Sequence, residues 1–525
     1  MDERGTREGT HQDTHQRDSH TRDPHAHPRG AGAEGVRVEP GDPRYAYLTS
    51  RGANRFRGSP EEVHVVGSTA QTVRAVQRAV DAGRRPAVRA GGHCFEDFVD
   101  HPSVRTVIDV SAMTEVSYDP VRHAFVVEAG ATLGEAFRRL HLGWGVTVPG
   151  GYCPEVGAGG HVAGGGYGPL CRLMGLVVDH LYAVEVVVVD RAGRAGAVYA
   201  SREEGDPNRE LWWAHTGGGG GTFGVVTRYW FRSPGTTRRT PPGELLPAPP
   251  PSVLTFTARW EWDSVDAGDF ARMVRGHGAW AVRNSGAAGA ALYSEFLLTR
   301  RAMGAHMLIG QVAAAPGEDE RLLREHLAAI GAGSADPHVE QRRLPWLTAA
   351  LRGTGDAVGD WRLKIKSGYL RRPLSDERIR TLHRHLSRTD VETLGGSFSL
   401  NTYGGRVNEA GPGDTAVAQR DSVMKLSYLA SWRTEAEDAA HLRWIRELYR
   451  AMYAETGGVP VPGATDDGAF INYPDTDLAD PAWNTSGVPW QELYFKDGAT
   501  RLGRAKARWD PRGVFHHALS VPAAA

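Results

Sequence analysis

Cysteine is scarce in this chain. Its 525 residues include three, Cys94, Cys153 and Cys171; an odd and sparse set excludes a disulfide framework and leaves each thiol to be explained separately. An excess of one charge is also missing. Lys and Arg total 61 against 62 Asp and Glu, so the basic footprint that nucleic acid requires is absent. No stretch reaches the roughly 18 consecutive apolar residues of a membrane-spanning helix, and the first residues contain no apolar h-region. Neither a membrane partner nor a secretory leader is expected, and the protein is expected to be cytoplasmic. Large apolar side chains are nearly absent from residues 1–37. That stretch cannot bury enough surface to offset the entropy of ordering, and a disordered tail is expected there. Its histidines His11, His15, His20, His25 and His27 are irregularly spaced and lack cysteine partners, so they read as solvated side chains and no metal site is expected.

What is present from about Val38 onward is globular patterning. Val63–Val66, Pro86–Val88, Thr106–Val110 and Ala124–Gly130 read as strands. Helical spacing runs through Thr72–Ala82 and Thr132–Leu140. The alternation suggests an α/β arrangement for this first part. Leu181–Asp190 is a strong β-branched strand, expected to pair with the strand containing Val225–Thr227. The Pro-rich run Ser233–Ser252 breaks the periodicity and marks a boundary. After it, Leu254–Trp262, Leu292–Leu298 and His306–Val312 read as antiparallel strands. Glu320–Ile330, Asp376–Leu386 and Ala436–Tyr453 read as helices. The expected organisation is a tail (1–37), a first domain (38–240), a second α+β domain (241–500), and a C-terminal piece (501–525) with a short strand-like end that returns to the first domain. No internal repeat is evident.

Glycine is abundant, at 65 residues, and is concentrated in three places. VRAGGHC (Val88–Cys94) sets a histidine and a cysteine behind paired glycines. This is either a tight turn with a buried histidine or a place where something is held by more than hydrogen bonds. GGYCPEVGAGGH (Gly150–His161) repeats the combination. HTGGGGGTFG (His215–Gly224) formally contains GxGxxG, but a strand follows it where a dinucleotide fingerprint needs a helix. No GK[ST] follows either, so Rossmann and P-loop readings both fail. Consecutive backbone N–H groups can nevertheless cradle a pyrophosphate without a helix.

Taken in order, VRAGGHCF, GGYCPEVGAGGHVAGGGYGPLCRLMG, HTGGGGGTFGVV and INYPD (Ile471–Asp475) resemble the berberine-bridge-enzyme-like FAD-linked oxidases of the vanillyl-alcohol-oxidase fold. The likeness covers the chain from about Val38. RGAN, GGHCFEDFVD, LYAVEVVVV, LWWAHTGGGGG and NTSGVPW make it similar in particular to actinomycete glycopeptide hexose oxidases. The resemblance implies an α+β, two-lobed protein, with a PCMH-type FAD-binding domain and a substrate domain built on an antiparallel sheet with helices. It also implies FAD attached twice, through His93 at the 8α carbon and Cys153 at C6. Two links should raise the flavin potential and hold the cofactor beside an open cleft. Pyrophosphate contacts are implied at Arg89, Gly91, Gly92, Gly157, Gly159 and Gly160, and adenine or ribose contacts at Gly224 and Val226. Further cofactor contacts are implied at Ala90, Cys94, Gly150, His161, Gly166, Gly168 and Asn472. Free cysteines are usually buried, so Cys171 and the thiol of Cys94 read as small buried hydrophobes.

The resemblance also implies a catalytic tyrosine pair, with Tyr473 taking the alcohol proton and Tyr167 stabilising the phenolate. Pro154-Glu155, behind the cysteine, departs from the small residues expected there. Lys366, Tyr369, Asn401 and Tyr403 interrupt strand-like runs and are candidates for the cleft. The implied activity is oxidation of a sugar hydroxyl on a bulky glycosylated natural product, with oxygen as acceptor and peroxide as product. The enzyme would be a monomer or homodimer. Two alternatives remain at this stage. One is oxidation or oxidative coupling of another antibiotic scaffold; the other is a drug-binding protein with a vestigial flavin, disfavoured by the joint presence of His93, Cys153 and Tyr473.

Overall fold

The computed structural model describes residues 35–50, 53–331, 336–352, 361–390 and 395–524. Residues 1–34, the greater part of the expected tail with its histidines, lie outside the described residues. Val36 and Arg37, counted with that tail, belong instead to strand β1 (Val36–Val38), which pairs antiparallel with β2 (Glu62–Val65). Among the described residues the strands form three sheets. The first, in the order β1-β2-β4-β3, adds β3 (Arg85–Arg89) and β4 (Val104–Asp109). In it β2 and β3 both run parallel to β4. The expected α/β alternation holds for this sheet, where helix Thr69–Asp81 follows β2. That helix starts ahead of its apolar stripe because the Ser68 side chain accepts the Gln71 N–H.

The second sheet is antiparallel throughout, in the order β5-β6-β9-β7-β8. Its strands are β5 (Val116–Asp119), β6 (Ala124–Glu128), β7 (Leu181–Val189), β8 (Ala195–Ser201) and β9 (Val225–Phe231). The expected pairing of LYAVEVVVV with the strand after the glycine run is β7 against β9. Helix Leu133–Trp144 begins at a Thr132–Glu135 capping box and ends at Gly145, which adopts a left-handed φ of 72°.

The third sheet is a larger antiparallel one. It comprises β10 (Ser252–Glu261), β11 (Leu292–Thr299), β12 (Ala305–Val312), β13 (His338–Pro345), β14 (Arg362–Leu370), β15 (Gly395–Thr402) and β16 (Met424–Trp432), in the order β13-β10-β12-β11-β15-β16-β14. Helices Ala267–Arg283, Glu318–Gly331, Asp376–Leu386 and Asp438–Met452 accompany it. The strand-like end expected after Leu502 is not a strand. Helix Gly498–Trp509 is followed by turns, and its Lys506 ammonium donates to the carbonyls of Thr222 and Phe515. Arg501 pairs with Glu210 at 2.7 Å, which joins this helix to the helix Arg209–Ala214. No helix among the described residues is long and apolar enough to cross a membrane.

Behind the third sheet two fully buried histidines, His277 and His326, meet at 3.2 Å, and His326 stacks on Trp280. Burial lowers the pKa of His277 from 6.5 to about 3; it also drives His326 well down, with His277 and Arg172 adding to the effect. Both histidines are neutral in the fold, whereas the unfolded chain protonates them below about 6.5. The stability they confer is therefore complete above that pH and is lost as the pH falls from about 6.5 toward 3. At pH 5 the loss is about 2 kcal/mol for His277. Thermal unfolding at pH 7 and pH 5 should show it, and His326→Gln should reduce the pH slope by about one proton. An unchanged slope would place the proton uptake elsewhere.

Candidate active site

The paired glycines of the first two turns are explained by contact between them. A Cβ on Gly91 would lie 2.5 Å from the Gly157 amide nitrogen, and one on Gly157 would lie 2.5 Å from that of Gly91. The two turns therefore pack backbone on backbone, which only glycine permits. The third glycine segment docks on the second, with the Gly219 N–H donating to the Ala163 carbonyl at 3.0 Å. It follows a helix and leads into β9, the reverse of a dinucleotide fingerprint.

The three segments enclose a cavity of about 430 Å³. Arg89, Ala90, Gly91, Gly92, His93, Cys94, Cys153, Gly157, Gly159, Gly160, His161, Tyr167, Gly224, Val226, Asn472 and Tyr473 all line it. Gly150, Gly166 and Gly168 do not. They pack within the turn, where a Cβ on Gly168 would fall 1.7 Å from the Gly150 carbonyl oxygen. Cys171 is buried as expected, but Cys94 is half-buried on the cavity wall. The cleft candidates Lys366, Tyr369, Asn401 and Tyr403 are buried and are not among the lining residues, although Tyr403 and Tyr369 pack on the lining rings of Tyr167 and Phe470; Leu363, Ile365 and Leu429 line the cavity. Alternation decides this for Lys366, because β14 turns Leu363 and Ile365 to one face and its lysines to the other.

The lining fits a flavin dinucleotide. Arg89 pairs through Nη1 with Asp109 at 2.6 Å and leaves its buried Nε without a partner, as a phosphate-facing guanidinium would. A Cβ on Gly160 would meet nothing within 4 Å, so backbone faces open space there. Burial lowers the pKa of His93 and leaves it neutral, opposed by Glu155. Burial and then the Glu155 carboxylate, 3.4 Å from Sγ, raise the Cys153 thiol to about 11. His161 is also held neutral by burial, at about 4, and its Nε2 accepts the Gly151 N–H. At the far end, His517 stacks on Phe98 with centroids 3.8 Å apart, so the C-terminal segment closes that wall.

Tyr473 and Tyr167, the expected pair, both line the cavity. The Tyr167 hydroxyl donates to the Thr402 carbonyl at 3.1 Å. The phenol interacting with Tyr473 is that of Tyr152, another cavity residue. Burial and then the Glu295 charge push the Tyr473 pKa upward, and the Tyr152 hydroxyl draws it down. A second residue missed in the sequence is Lys425 on β16. Its buried Nζ stands 3.9 Å from the Tyr473 ring centroid, 4.8 Å from Phe470 and 5.0 Å from Tyr167. Burial brings this lysine down to about 7, against the pull of Glu295. Tyr152 could have been noticed beside Cys153, but Lys425 carries no local signal.

The Tyr473 loop is held from both sides. The Asn472 Nδ2 donates to the His161 carbonyl at 2.9 Å. Two residues beyond Tyr473, Asp475 receives Lys364 and Lys366 of β14. Lys364 also pairs with Glu96, three residues beyond His93.

Comparisons with known proteins agree with this arrangement. Residues 60–193 match the FAD binding domain family, and residues 469–522 match the family described as berberine and berberine-like. The chain is 53% identical to aclacinomycin-N/aclacinomycin-A oxidase of Streptomyces galilaeus, over 94% of this chain and 90% of that protein. It is 31% identical to hexose oxidase of Chondrus crispus, over 92% and 94%. Among solved structures, aclacinomycin oxidoreductase superimposes with a TM-score of 0.89 at 51% identity, covering 93% of this chain and all of that one. Glycopeptide hexose oxidase, solved with teicoplanin, superimposes with a TM-score of 0.89 at 48% identity, covering 93% and 98%. The fold is thus the two-lobed α+β architecture of the vanillyl-alcohol-oxidase type, and FAD is the cofactor. This chain belongs to the berberine-bridge-enzyme-like family of FAD-linked oxidoreductases.

Proposed function

We propose that this enzyme oxidises a sugar hydroxyl on a bulky glycosylated natural product, passing the electrons to oxygen with release of hydrogen peroxide, and that its FAD is linked to both His93 and Cys153. The observation that carries the reading is the phenol pair of Tyr473 and Tyr152 at the wall of the cavity that His93 and Cys153 also line. Relatives named hexose oxidase and aclacinomycin oxidase, and a hexose oxidase solved with teicoplanin, support the sugar, the acceptor and a large substrate. When bound, FAD supplies the hydride acceptor.

The protein's own residues handle the proton. Tyr473 as the phenolate, stabilised by a hydrogen bond from the Tyr152 hydroxyl, accepts it from the substrate hydroxyl and becomes the neutral phenol. A phenol ordinarily ionises near 10 and is pushed higher here by burial, so the base needs a counter-charge. Lys425, when protonated, supplies one against the ring face, where a cation favours the electron-rich phenolate. Neutral His93 has a free lone pair for attachment. Cys153 must lose its proton for the second link.

These assignments differ in what they predict. Acid-precipitated wild-type protein should retain its flavin. His93→Ala and Cys153→Ala should each keep one link by peptide mass, and the double variant should release the cofactor; complete release from the wild type would exclude covalent attachment. In anaerobic stopped-flow, Tyr473→Phe should slow flavin reduction by substrate about 10²–10⁴-fold, with the linkage intact. Tyr152→Phe should slow it less, and Tyr167→Phe least. Near-normal reduction in Tyr473→Phe would move the base elsewhere. Lys425→Met preserves length and removes the charge, so the pH of half-maximal reduction should move upward. An unmoved profile would remove Lys425 from the proton path.

A further inference from the structure

The register of the large sheet sets Glu295, Asn401, Lys425 and Tyr369 directly opposite one another on β11, β15, β16 and β14. Opposed residues share a face. Two residues along lies the row Leu297, Ser399, Ser427 and Ser367, and two further the row Thr299, Ser397, Leu429 and Ile365. Leu429 and Ile365 line the flavin cavity, so by the two-residue period Glu295 belongs to the cavity-facing side of the sheet. Its charge acts on the phenols of Tyr152, Tyr473 and Tyr293 and on the Lys425 ammonium.

Glu295 differs from the other acids in this region. Glu96, Asp475 and Asp477 are each ion-paired. The Glu295 carboxylate is half-buried, with no hydrogen bond and no ion pair within 4.0 Å among the described residues. Nor is the row closed beside it: opposite Glu295 on β12 stands Ile309, 41% exposed. A carboxylate left unpaired on a half-buried face loses hydration without a partner in return. Here it flanks the hydroxyls assigned to the reacting alcohol, on the side open to solvent.

We propose that Glu295 is a substrate-binding carboxylate that selects an alcohol whose neighbouring ring carbon bears a hydrogen-bond donor, and prefers a protonated amine to a hydroxyl there. A hydroxyl supplies one donor to the carboxylate. An ammonium supplies several and brings the opposite charge, giving the stronger class of hydrogen bond. The proposal rests on Tyr473 receiving the proton of the alcohol being oxidised.

Three free hexoses, D-glucosamine, D-glucose and 2-deoxy-D-glucose, differ only at carbon 2, next to the carbon 1 hydroxyl. Oxidation there removes a hydride and a proton and yields a lactone, with the electron pair passing to the flavin. Anaerobic flavin reduction by each, measured as an apparent second-order rate constant with lactone detected by mass, should rank them in that order. Glucosamine should exceed 2-deoxyglucose by about tenfold or more, as expected of a hydrogen bond to a charged group. Glu295→Gln should bring the glucosamine advantage over glucose to within about twofold, and Glu295→Asp should keep the order. Flavin content and visible spectrum should match the wild type in both variants. Tyr473→Phe should slow all three sugars alike. Failure of all three hexoses to reduce the wild-type flavin overturns this proposal while leaving oxidation of a larger glycoside standing. Reduction that depends on Tyr473 but shows no preference, or a preference that persists in Glu295→Gln, overturns the assignment of Glu295 alone.

Discussion

A buried cluster of opposite charges holds the site in register. Lys364 and Lys366 project from one face of β14 into Glu96, Asp475 and Asp477, and all five are at most 4% exposed. Arg55 pairs with Glu96 and Arg446 with Asp477. Such an assembly does not imply great stability, because desolvation offsets much of the attraction. Removing one partner is nonetheless strongly destabilising, about 3–5 kcal/mol, because the remaining charge is stranded. What the cluster provides is position. Glu96 follows closely on His93 and Asp475 on Tyr473, so the first glycine turn and the Tyr473 loop are clamped to the same strand. The opposite face of that strand contributes Leu363 and Ile365 to the cavity wall.

The glycine turns meet a different constraint. Gly91 and Gly157 approach so closely that neither tolerates a Cβ, and this contact brings the His93 and Cys153 segments together at one cavity. In the proposed function the same turns cradle the cofactor and carry the two side chains that bond to it, which would account for glycine, histidine and cysteine recurring together in the sequence.

Charge around the phenols is arranged in opposition. Burial and Glu295 disfavour the Tyr473 phenolate, whereas the Tyr152 hydroxyl and the Lys425 cation favour it. A phenol held in this balance responds strongly to any charge that enters the cleft. The unpaired Glu295 and the paired acids around Asp475 accordingly serve different ends: the former remains available to a ligand, while the latter are consumed in fixing the loop.

Local pattern was enough for much of the molecule. The β-branched run of β7, the helix Asp376–Leu386 and the capping box of helix Leu133–Trp144 follow from side-chain stereochemistry and hydrogen bonds within a few residues. Three glycine segments carrying His93 and Cys153, with INYPD, were enough to indicate the family and its cofactor. The phenol that meets Tyr473 was not legible, since Tyr167 and Tyr152 both lie close to Cys153 in sequence and only packing sends the Tyr167 hydroxyl to Thr402. Lys366 looked like a cleft residue because a polar side chain breaks an otherwise strand-like run there, but its counter-ions lie about a hundred residues away, as with Asp475 at a separation of 109. Lys425 and Glu295 had no signal at all: they become neighbours of the site through strand register, and the period of two tells a sequence which residues share a face but not what that face meets. The sequence alone determined the local elements and the glycine turns that carry His93 and Cys153, because these depend on short-range geometry. The tertiary structure decided which charges are matched and which phenols meet, because electrostatic pairing in a buried site depends on distances that only the assembled sheet defines.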